Sequence, residues 1–299
     1  MRVLLLGGTK FIGRRVASRL LDGHAVTLLN RGSDPLWDRD LRRVTADRTD
    51  AAATAAALSG DHDVVVDISG TRPEHLAGTL DFPGRYIYLS SAAVYDQTAA
   101  GLPFREGDPA HGDPAWGEYG HDKAACERLL TEAYGERLTV LRPPYVYGPF
   151  NDLPRESFVW ARLLCGETVF VPGDGDRLIQ FCHVDALAEV VAAAVEERLD
   201  PGVYNVAEST PYGLAGWVRI LAKAAGTEAP MSPVDDERID AREYFPFRDM
   251  DLVLDTTRID AAGVLPYVPL PVGAASTFRW FKANGGLAFE PTAYERSRG

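Results

Sequence analysis

With 299 residues, 46% of them hydrophobic and 25% charged, the chain holds enough apolar sequence for a sizeable core and about two domains, which excludes disordered and fibrous classes. Its 31 basic and 43 acidic residues leave a formal charge of −12, which opposes non-specific adhesion to phosphate backbones and makes nucleic acid an unfavoured partner. No apolar run approaches the roughly 20 residues of a membrane helix, and Met1 to Leu6 halts at glycines instead of running on as a signal peptide, so a soluble cytoplasmic protein with no membrane partner is expected.

In chain order, Val3 to Leu6, Val26 to Leu29, Val64 to Ile68 and Tyr86 to Leu89 are short apolar runs that predict buried strands. Between the first two, Ile12, Val16 and Leu20 recur every four residues with Arg14, Arg15 and Arg19 interleaved, which predicts a helix with one apolar face ending near Asp22-Gly23. The rhythm predicts βαβ units and a parallel sheet covered by helices. Asp96 to Gly117, rich in Gly, Pro, Asp and Ala and without periodicity, predicts a long loop of the kind that often carries function. A helix follows from about Tyr119 to Tyr134. Beyond Pro149, helices over Ser157 to Cys165, Val184 to Glu197 and Leu214 to Ala225 mix with short strands and Pro-rich turns, predicting a smaller domain entangled with the first. Cys126, Cys165 and Cys182 are odd in number, widely spaced and without a C-x-x-C or His-rich companion, so neither a disulfide framework nor a metal site is expected.

The chemistry begins at Gly7-Gly8-Thr9-Lys10-Phe11-Ile12-Gly13, where a strand turns into a helix and backbone N–H groups with the helix dipole can hold a pyrophosphate. Lys10 stands where the usual pattern has its middle glycine; it either extends into solvent or sets a cation beside phosphate, and the second reading is preferred. The next strand ends Leu28-Leu29-Asn30-Arg31, with no acid there to bind the adenosine ribose hydroxyls as an NAD site usually has. Asn30 with Arg31 suits a 2′-phosphate, because arginine presents a fork of donors, so NADP(H) is favoured with NAD(H) as the alternative.

The segments Ser90-Ser91, Tyr119-Gly120-His121-Asp122-Lys123 and Arg142-Pro143-Pro144-Tyr145-Val146-Tyr147-Gly148-Pro149 resemble those of the extended short-chain dehydrogenase/reductases, the family of nucleotide-sugar epimerases and dehydratases. The resemblance continues through Phe181-Cys182-His183-Val184-Asp185, Tyr204-Asn205-Val206 and Asp255-Thr256-Thr257-Arg258, nearly the whole chain. It implies an α/β fold, a Rossmann-type doubly wound parallel sheet with a smaller C-terminal α/β substrate domain. The first domain would take residues 1–150 plus roughly 178–207, and the second roughly 151–177 and 208–299. It also implies a Ser-Tyr-Lys site beside a nicotinamide, matched here by Ser91, Tyr119 and Lys123. Ile68, Ser69, Gly70 and Arg72 would line the cofactor, Asp47 and Arg48 would lie near adenine, and Pro143 and Pro144 near the nicotinamide. A homodimer through helices of the large domain is implied too. The residues support the site independently: Tyr119 and Lys123 are four apart on one helix face, where an ammonium can lower a phenol's pKa for proton exchange with a substrate hydroxyl.

Departures from the family pattern narrow the chemistry. Members that eliminate water from a sugar carry an Asp-Glu pair after the catalytic Ser/Thr; here those positions are Ala92 and Ala93, so a 4,6-dehydratase is disfavoured and redox at one carbon is left. Glu106 and His121 are candidate substitutes. The Asn often found in the Arg-Pro segment is Tyr145, and the arginine usually four residues before the His-Val-x-Asp histidine is Ile179, which alters the usual clamp for a nucleotide diphosphate. Arg177 would replace that arginine only with a shift of register, and Arg248 is a reserve phosphate ligand. Trp116, Tyr145, Phe245 and Phe247 are candidates to stack on a base or sugar, with Trp116 and Tyr145 preferred.

The Gly-Gly-Thr-Lys-Phe-Ile-Gly form of the loop, Ile179 to Val184, and Phe245-Pro246-Phe247-Arg248-Asp249 are similar to the branch that also contains the chloroplast stem-loop RNA-binding proteins. Fold similarity does not carry RNA binding across. The expectation is therefore an NAD(P)-dependent epimerase or ketoreductase acting on a sugar, with a nucleotide sugar as the leading substrate class. The alternatives are an RNA-binding or regulatory protein on the same fold, and a reductase of a non-sugar natural-product ketone.

Overall fold

The computed structural model describes residues 1–32 and 41–298. Its first half runs β1 (Arg2–Leu6), α1 (Phe11–Leu21), β2 (Ala25–Asn30), β3 (Arg42–Thr45), α2 (Ala51–Leu58), β4 (Val64–Asp67), β5 (Arg85–Leu89), α3 (Glu118–Tyr134) and β6 (Leu138–Arg142). Then come β7 (Tyr145–Tyr147), α4 (Glu156–Leu164), β8 (Val169–Pro172), β9 (Leu178–Ile179), β10 (Phe181–His183), α5 (Val184–Val195) and β11 (Gly202–Asn205). The chain ends with β12 (Tyr212–Gly213), α6 (Leu214–Ala225), β13 (Met231–Val234), α7 (Thr257–Ala262), α8 (Leu270–Asn284) and α9 (Ala293–Arg296).

Seven strands form one parallel sheet in the order β11-β6-β5-β4-β1-β2-β3. Leu5 of β1 faces Leu28 on one side and Val66 on the other, so the direction of sheet growth reverses between β1 and β4. That reversal opens a crevice at the carboxyl ends of the strands, the usual ligand position in such sheets. A parallel sheet is covered on both faces, which is why Val3 to Leu6 and Val64 to Val66 are buried without interruption and carry no polar alternation. Val16, Ala17 and Leu20 form the buried face of α1, as its four-residue spacing predicts. Behind the sheet, Leu4, Val65, Tyr86, Leu130 and Leu138 belong to one core cluster.

The chain divides into two compact units. The first comprises Met1–Pro144, Val184–Ala207 and Leu254–Tyr267; the second comprises Tyr145–His183, Glu208–Val253 and Val268–Gly299. The first unit thus includes 254–267, and the second begins at Tyr145. The second unit is held by three two-stranded pairings, β10 with β7, β12 with β9 and β13 with β8. Its core is aromatic: Phe181 stacks on Trp217 with centroids 6.0 Å apart, and Phe247 meets Trp217 edge-on at 4.7 Å. No helix among the described residues is long and apolar enough to cross a membrane.

Candidate active site

The glycine loop is shaped by close approach. Gly7 has φ +88°, and a Cβ there would sit 2.5 Å from Cβ of Ser69. A Cβ on Gly13 would overlap the Gly7 carbonyl oxygen, so only glycine lets α1 begin against the loop. Among the described residues Lys10 makes no side-chain cap to the first turn of α1 and no acid stands in that turn, which leaves its positive end suited to an anion. Beside the loop lies a cavity of about 460 Å³ lined by Gly7, Thr9, Lys10, Leu29, Asn30, Arg31, Ala46, Asp47, Arg48, Thr49, Ser69 and His75. Eight of the expected cofactor residues are on its wall; Leu29, Ala46, Thr49 and His75 are the ones sequence reasoning missed. Phe11, Ile12, Gly13, Ile68, Gly70, Arg72, Pro143 and Pro144 are not on it. Asn30 Oδ1 accepts from Gly32 N at 2.9 Å, while its buried Nδ2 has no partner among the described residues. Asp47 is held by the Thr49 N–H and hydroxyl at 2.9 and 2.7 Å, which keep its carboxyl below the ordinary range with help from Arg31. Arg72 is exposed and 3.7 Å from Glu74.

Arg48 is more deeply engaged than its expected place near adenine implies. Its Nη1 and Nη2 donate to the two oxygens of Asp67, each at 2.8 Å, and Nη1 also reaches Ser69 Oγ at 2.6 Å. Asp67 ends β4 and is fully buried; burial works to raise its pKa, and Arg48 outweighs this so that the carboxyl is held low. Nothing in the strand pattern Val64 to Ile68 marked it, since a partner 19 residues away is invisible to periodicity.

The Ser-Tyr-Lys residues are all in the first unit. Ser90 and Ser91 extend the β5–β6 ladder, with Ser90 N donating to Leu141 O and Ala92 N to Pro143 O. Ser90 turns inward and its hydroxyl donates to Glu127, whereas Ser91 caps the short helix Ala92–Val94 by accepting from Ala93 N at 3.2 Å. Gly120 lets the first turn of α3 come down on that helix: a Cβ there would lie 2.5 Å from the Ala93 oxygen. Tyr119 is 44% exposed while Lys123, one turn on, is only 3% exposed. The Lys123 ammonium donates to Gly70 O at 2.7 Å and Leu89 O at 2.6 Å and stands 4.6 Å above the Tyr88 ring. Burial brings its pKa down to about 8, against the opposing pull of Asp67.

A buried chain of polar groups backs the serine loop. Arg142 forks onto Glu127 at 3.0 and 2.5 Å and reaches Tyr95 Oη at 3.0 Å. Tyr95 in turn donates to Asn205 Oδ1 at 2.6 Å. Glu106 accepts from Asn205 N at 3.0 Å, and His121 Nδ1 lies 2.8 Å from His111 O, so both candidate substitutes for the missing acid–base pair serve local structure.

Of the expected substrate residues, Trp116 belongs to the first unit, half-buried in a short 3-10 helix (Pro114–Trp116) just ahead of α3. Tyr145, Arg177 and Arg248 belong to the second. Tyr145 is buried against Phe247, centroids 4.3 Å apart, with the Arg155 guanidinium 5.0 Å over its ring. Burial pushes its phenol up to about 12, and Arg155, Arg242 and Arg248 pull the other way. Burial lowers the pKa of Arg242, and the charges of Arg155 and Arg248 add to that. Arg155 and Arg242 went unremarked in the sequence because only the fold brings them to Tyr145. Arg177 is neutralised by Asp249 at 3.1 Å and Asp251 at 3.7 Å, while Ile179 is a core residue. Phe245 and Phe247 are core residues as well.

Comparison with known proteins agrees with this architecture. The family model described as "NAD dependent epimerase/dehydratase family" matches residues 74–207. The chain is 32% identical to the chloroplast stem-loop binding protein of 41 kDa b of Arabidopsis thaliana, over 83% of this chain and 70% of that protein. It is 27% identical to a dTDP-glucose 4,6-dehydratase of an Actinoplanes species, over 95% and 98%. Among solved structures, a UDP-glucose 4-epimerase of Thermotoga maritima superposes with a TM-score of 0.77 at 20% identity, covering 95% of this chain and 99% of that one. A UDP-N-acetylglucosamine 4-epimerase of Methanobrevibacter ruminantium gives 0.79 at 21% identity, covering 95% and 98%. The glycine loop, the seven-stranded sheet and these likenesses make the chain a member of the NAD-dependent epimerase/dehydratase family of extended short-chain dehydrogenase/reductases, in the branch that includes the chloroplast stem-loop binding proteins.

Proposed function

We propose that the chain is a nicotinamide-dependent oxidoreductase or epimerase acting at a secondary alcohol or ketone carbon of a nucleotide-linked sugar. The observation that carries this reading is the seating of α3: Gly120 packs its first turn on Ala93 beside Ser91, and Lys123 on the same helix is anchored by Gly70 and Leu89 beneath Tyr119 in sequence. The glycine loop, the cavity and Asn30 Nδ2, buried without a partner among the described residues, fit a dinucleotide, which when bound supplies or accepts a hydride. Gly7, Gly13 and the α1 N-terminus hold its pyrophosphate in this reading, and the Lys123 ammonium keeps a third N–H for a ribose oxygen. Tyr119 Oη moves the proton to or from the substrate oxygen, the Lys123 charge favours the phenolate, and Ser91 Oγ hydrogen-bonds the same oxygen.

Within the dinucleotides, Asn30 and Arg31 in place of an acid favour NADP, although Asp47 stands on the same wall; the solved neighbours include complexes with NAD. Ala92 and Ala93 are buried and cannot move protons, which disfavours 4,6-dehydration even with a dehydratase among the relatives. The protein is taken to act as a cytoplasmic homodimer.

The test is Tyr119→Phe: turnover of a UDP- or dTDP-sugar panel falls by about 10² or more while dinucleotide affinity stays unchanged. Undiminished turnover in that variant removes the site assignment. A second reading, RNA binding without turnover, is favoured by the name of the 32% identical relative and opposed by the charge of −12. It requires RNA affinity that weakens with salt and is indifferent to Tyr119→Phe.

A further inference from the structure

We propose that Asp67 and Arg48 are positioning residues for Lys123, fixing the Ser69-Gly70 turn whose carbonyl holds the ammonium. The inference rests on the assignment of Lys123 above and extends it to a layer beneath the site. Asp67 is fully buried and accepts five hydrogen bonds. Arg48 gives two at 2.8 Å, Tyr86 Oη one at 2.8 Å, and the backbone N–H groups of Ser69 and Gly70 one each at 3.1 and 2.8 Å. Arg48 also holds Ser69 Oγ at 2.6 Å. Drawing the two N–H groups onto one carboxylate oxygen fixes the two peptide planes that lead into Gly70, and the Gly70 oxygen receives both Lys123 Nζ at 2.7 Å and Tyr88 Oη at 2.8 Å. The turn admits no side chain at 70, since a Cβ would lie 2.5 Å from Asp67 Oδ2 and 3.2 Å from Arg48 Nη2.

Buried ion pairs are poor stabilisers compared with apolar packing, so a charged pair beneath a glycine turn calls for a reason beyond stability. The reason is electrostatic as well as geometric. The groups acting on Lys123 are Asp67 from β4, Arg48 from the segment after β3, and Cys126 and Glu127 from α3 itself, with the Tyr88 ring of β5 beneath. Burial drives the ammonium toward neutrality, and Asp67 is the strongest opposing charge. Without Asp67 the lysine would both lose its anchored acceptor and shed its proton at a lower pH.

The chain has four lysines, Lys10, Lys123, Lys223 and Lys282, so [ε-13C]lysine labelling of the full-length protein gives four Cε resonances, with that of Lys123 assigned by its absence in Lys123→Arg. In the wild type the Lys123 signal is expected to titrate with a midpoint lowered by burial to about 8. Asp67→Asn is expected to lower that midpoint by about one unit. Because Asp67→Asn leaves Arg48 buried and unpaired, the paired variant Asp67→Asn/Arg48→Gln is measured alongside; it is expected to lower the midpoint as well, by less. An unchanged midpoint in a folded Asp67→Asn or paired variant overturns the inference. Failure of the catalytic reading shows itself separately, as a Lys123→Met protein that still turns over substrate while the wild-type titration and its Asp67 dependence persist.

Discussion

Gly120→Ala isolates the packing that joins the serine loop to the helix of Tyr119 and Lys123. The added methyl carbon would lie 2.5 Å from the Ala93 oxygen, about 0.9 Å inside the 3.4 Å at which ordinary contact begins, and 3.2 Å from Trp116 Cβ. The near atom at Ala93 is backbone, in a short helix whose start is pinned by Ala92 N to Pro143 O at 2.9 Å, so the strain cannot be relieved by rotating a side chain. The first turn of α3 must rise by most of an ångström, or the Ser91 loop must yield by as much. Displacement of that size between reacting groups costs about 10²-fold in rate, and overpacking costs about 1–3 kcal/mol of stability. The glycine loop and cavity are untouched, so dinucleotide affinity should hold. The assay is turnover of the nucleotide-sugar panel beside dinucleotide titration and urea denaturation. Wild-type turnover together with wild-type stability in Gly120→Ala would refute the claim that this contact sets the catalytic geometry.

Further outcomes are expected elsewhere. Gly13→Ala, whose methyl overlaps the Gly7 oxygen and sits 2.9 Å from Gly8 Cα, should weaken dinucleotide binding at least about tenfold in a folded protein, read by fluorescence titration. Arg31→Ala should weaken NADPH binding about tenfold and leave NADH within twofold; equal losses would show that Arg31 does not read a 2′-phosphate. Glu156, buried with Asn151 Nδ2 at 3.0 Å, is raised by burial from 4.5 to about 7. A raised folded-state pKa contributes stability that is complete below about 4.5 and lost as pH rises through about 7, an effect of about 3 kcal/mol. Glu156→Gln, which mimics the protonated acid, should therefore stabilise the protein at pH 8 and do little at pH 4.5; equal effects in urea denaturation at both would contradict the assigned burial cost.

The parts of the fold legible in the sequence are those whose burial is complete or strictly periodic. β1, β4 and β5 are continuous apolar runs because a parallel sheet hides both faces, and α1 shows its stripe at every fourth residue. β3 escaped notice because an edge strand tolerates Arg42 and Arg43, and α2 because Ala51 to Leu58 is too uniformly apolar to show a face. Helix ends moved by a residue or two, as for α4, expected from Ser157 and beginning at Glu156. In the site, the glycine loop and the four-residue spacing of Tyr119 and Lys123 are local and could be read directly. What holds them is not local: Asp67 meets Arg48 across two strands, Ser90 differs from its neighbour Ser91 only through buried Glu127, and Arg155 meets Arg242 at Tyr145 through the fold of the second unit. A sequence shows that such charges exist, whereas only coordinates show which of them are already spent.

The most direct test of nicotinamide-dependent chemistry at this site is calorimetric titration of the purified, nucleotide-stripped protein with NADPH, NADH and RNA in turn. Saturable binding of a dinucleotide, tighter for NADPH and weakened by Gly13→Ala, is the expected result. Absence of any dinucleotide binding at millimolar concentration, with salt-sensitive binding of RNA in its place, would contradict it.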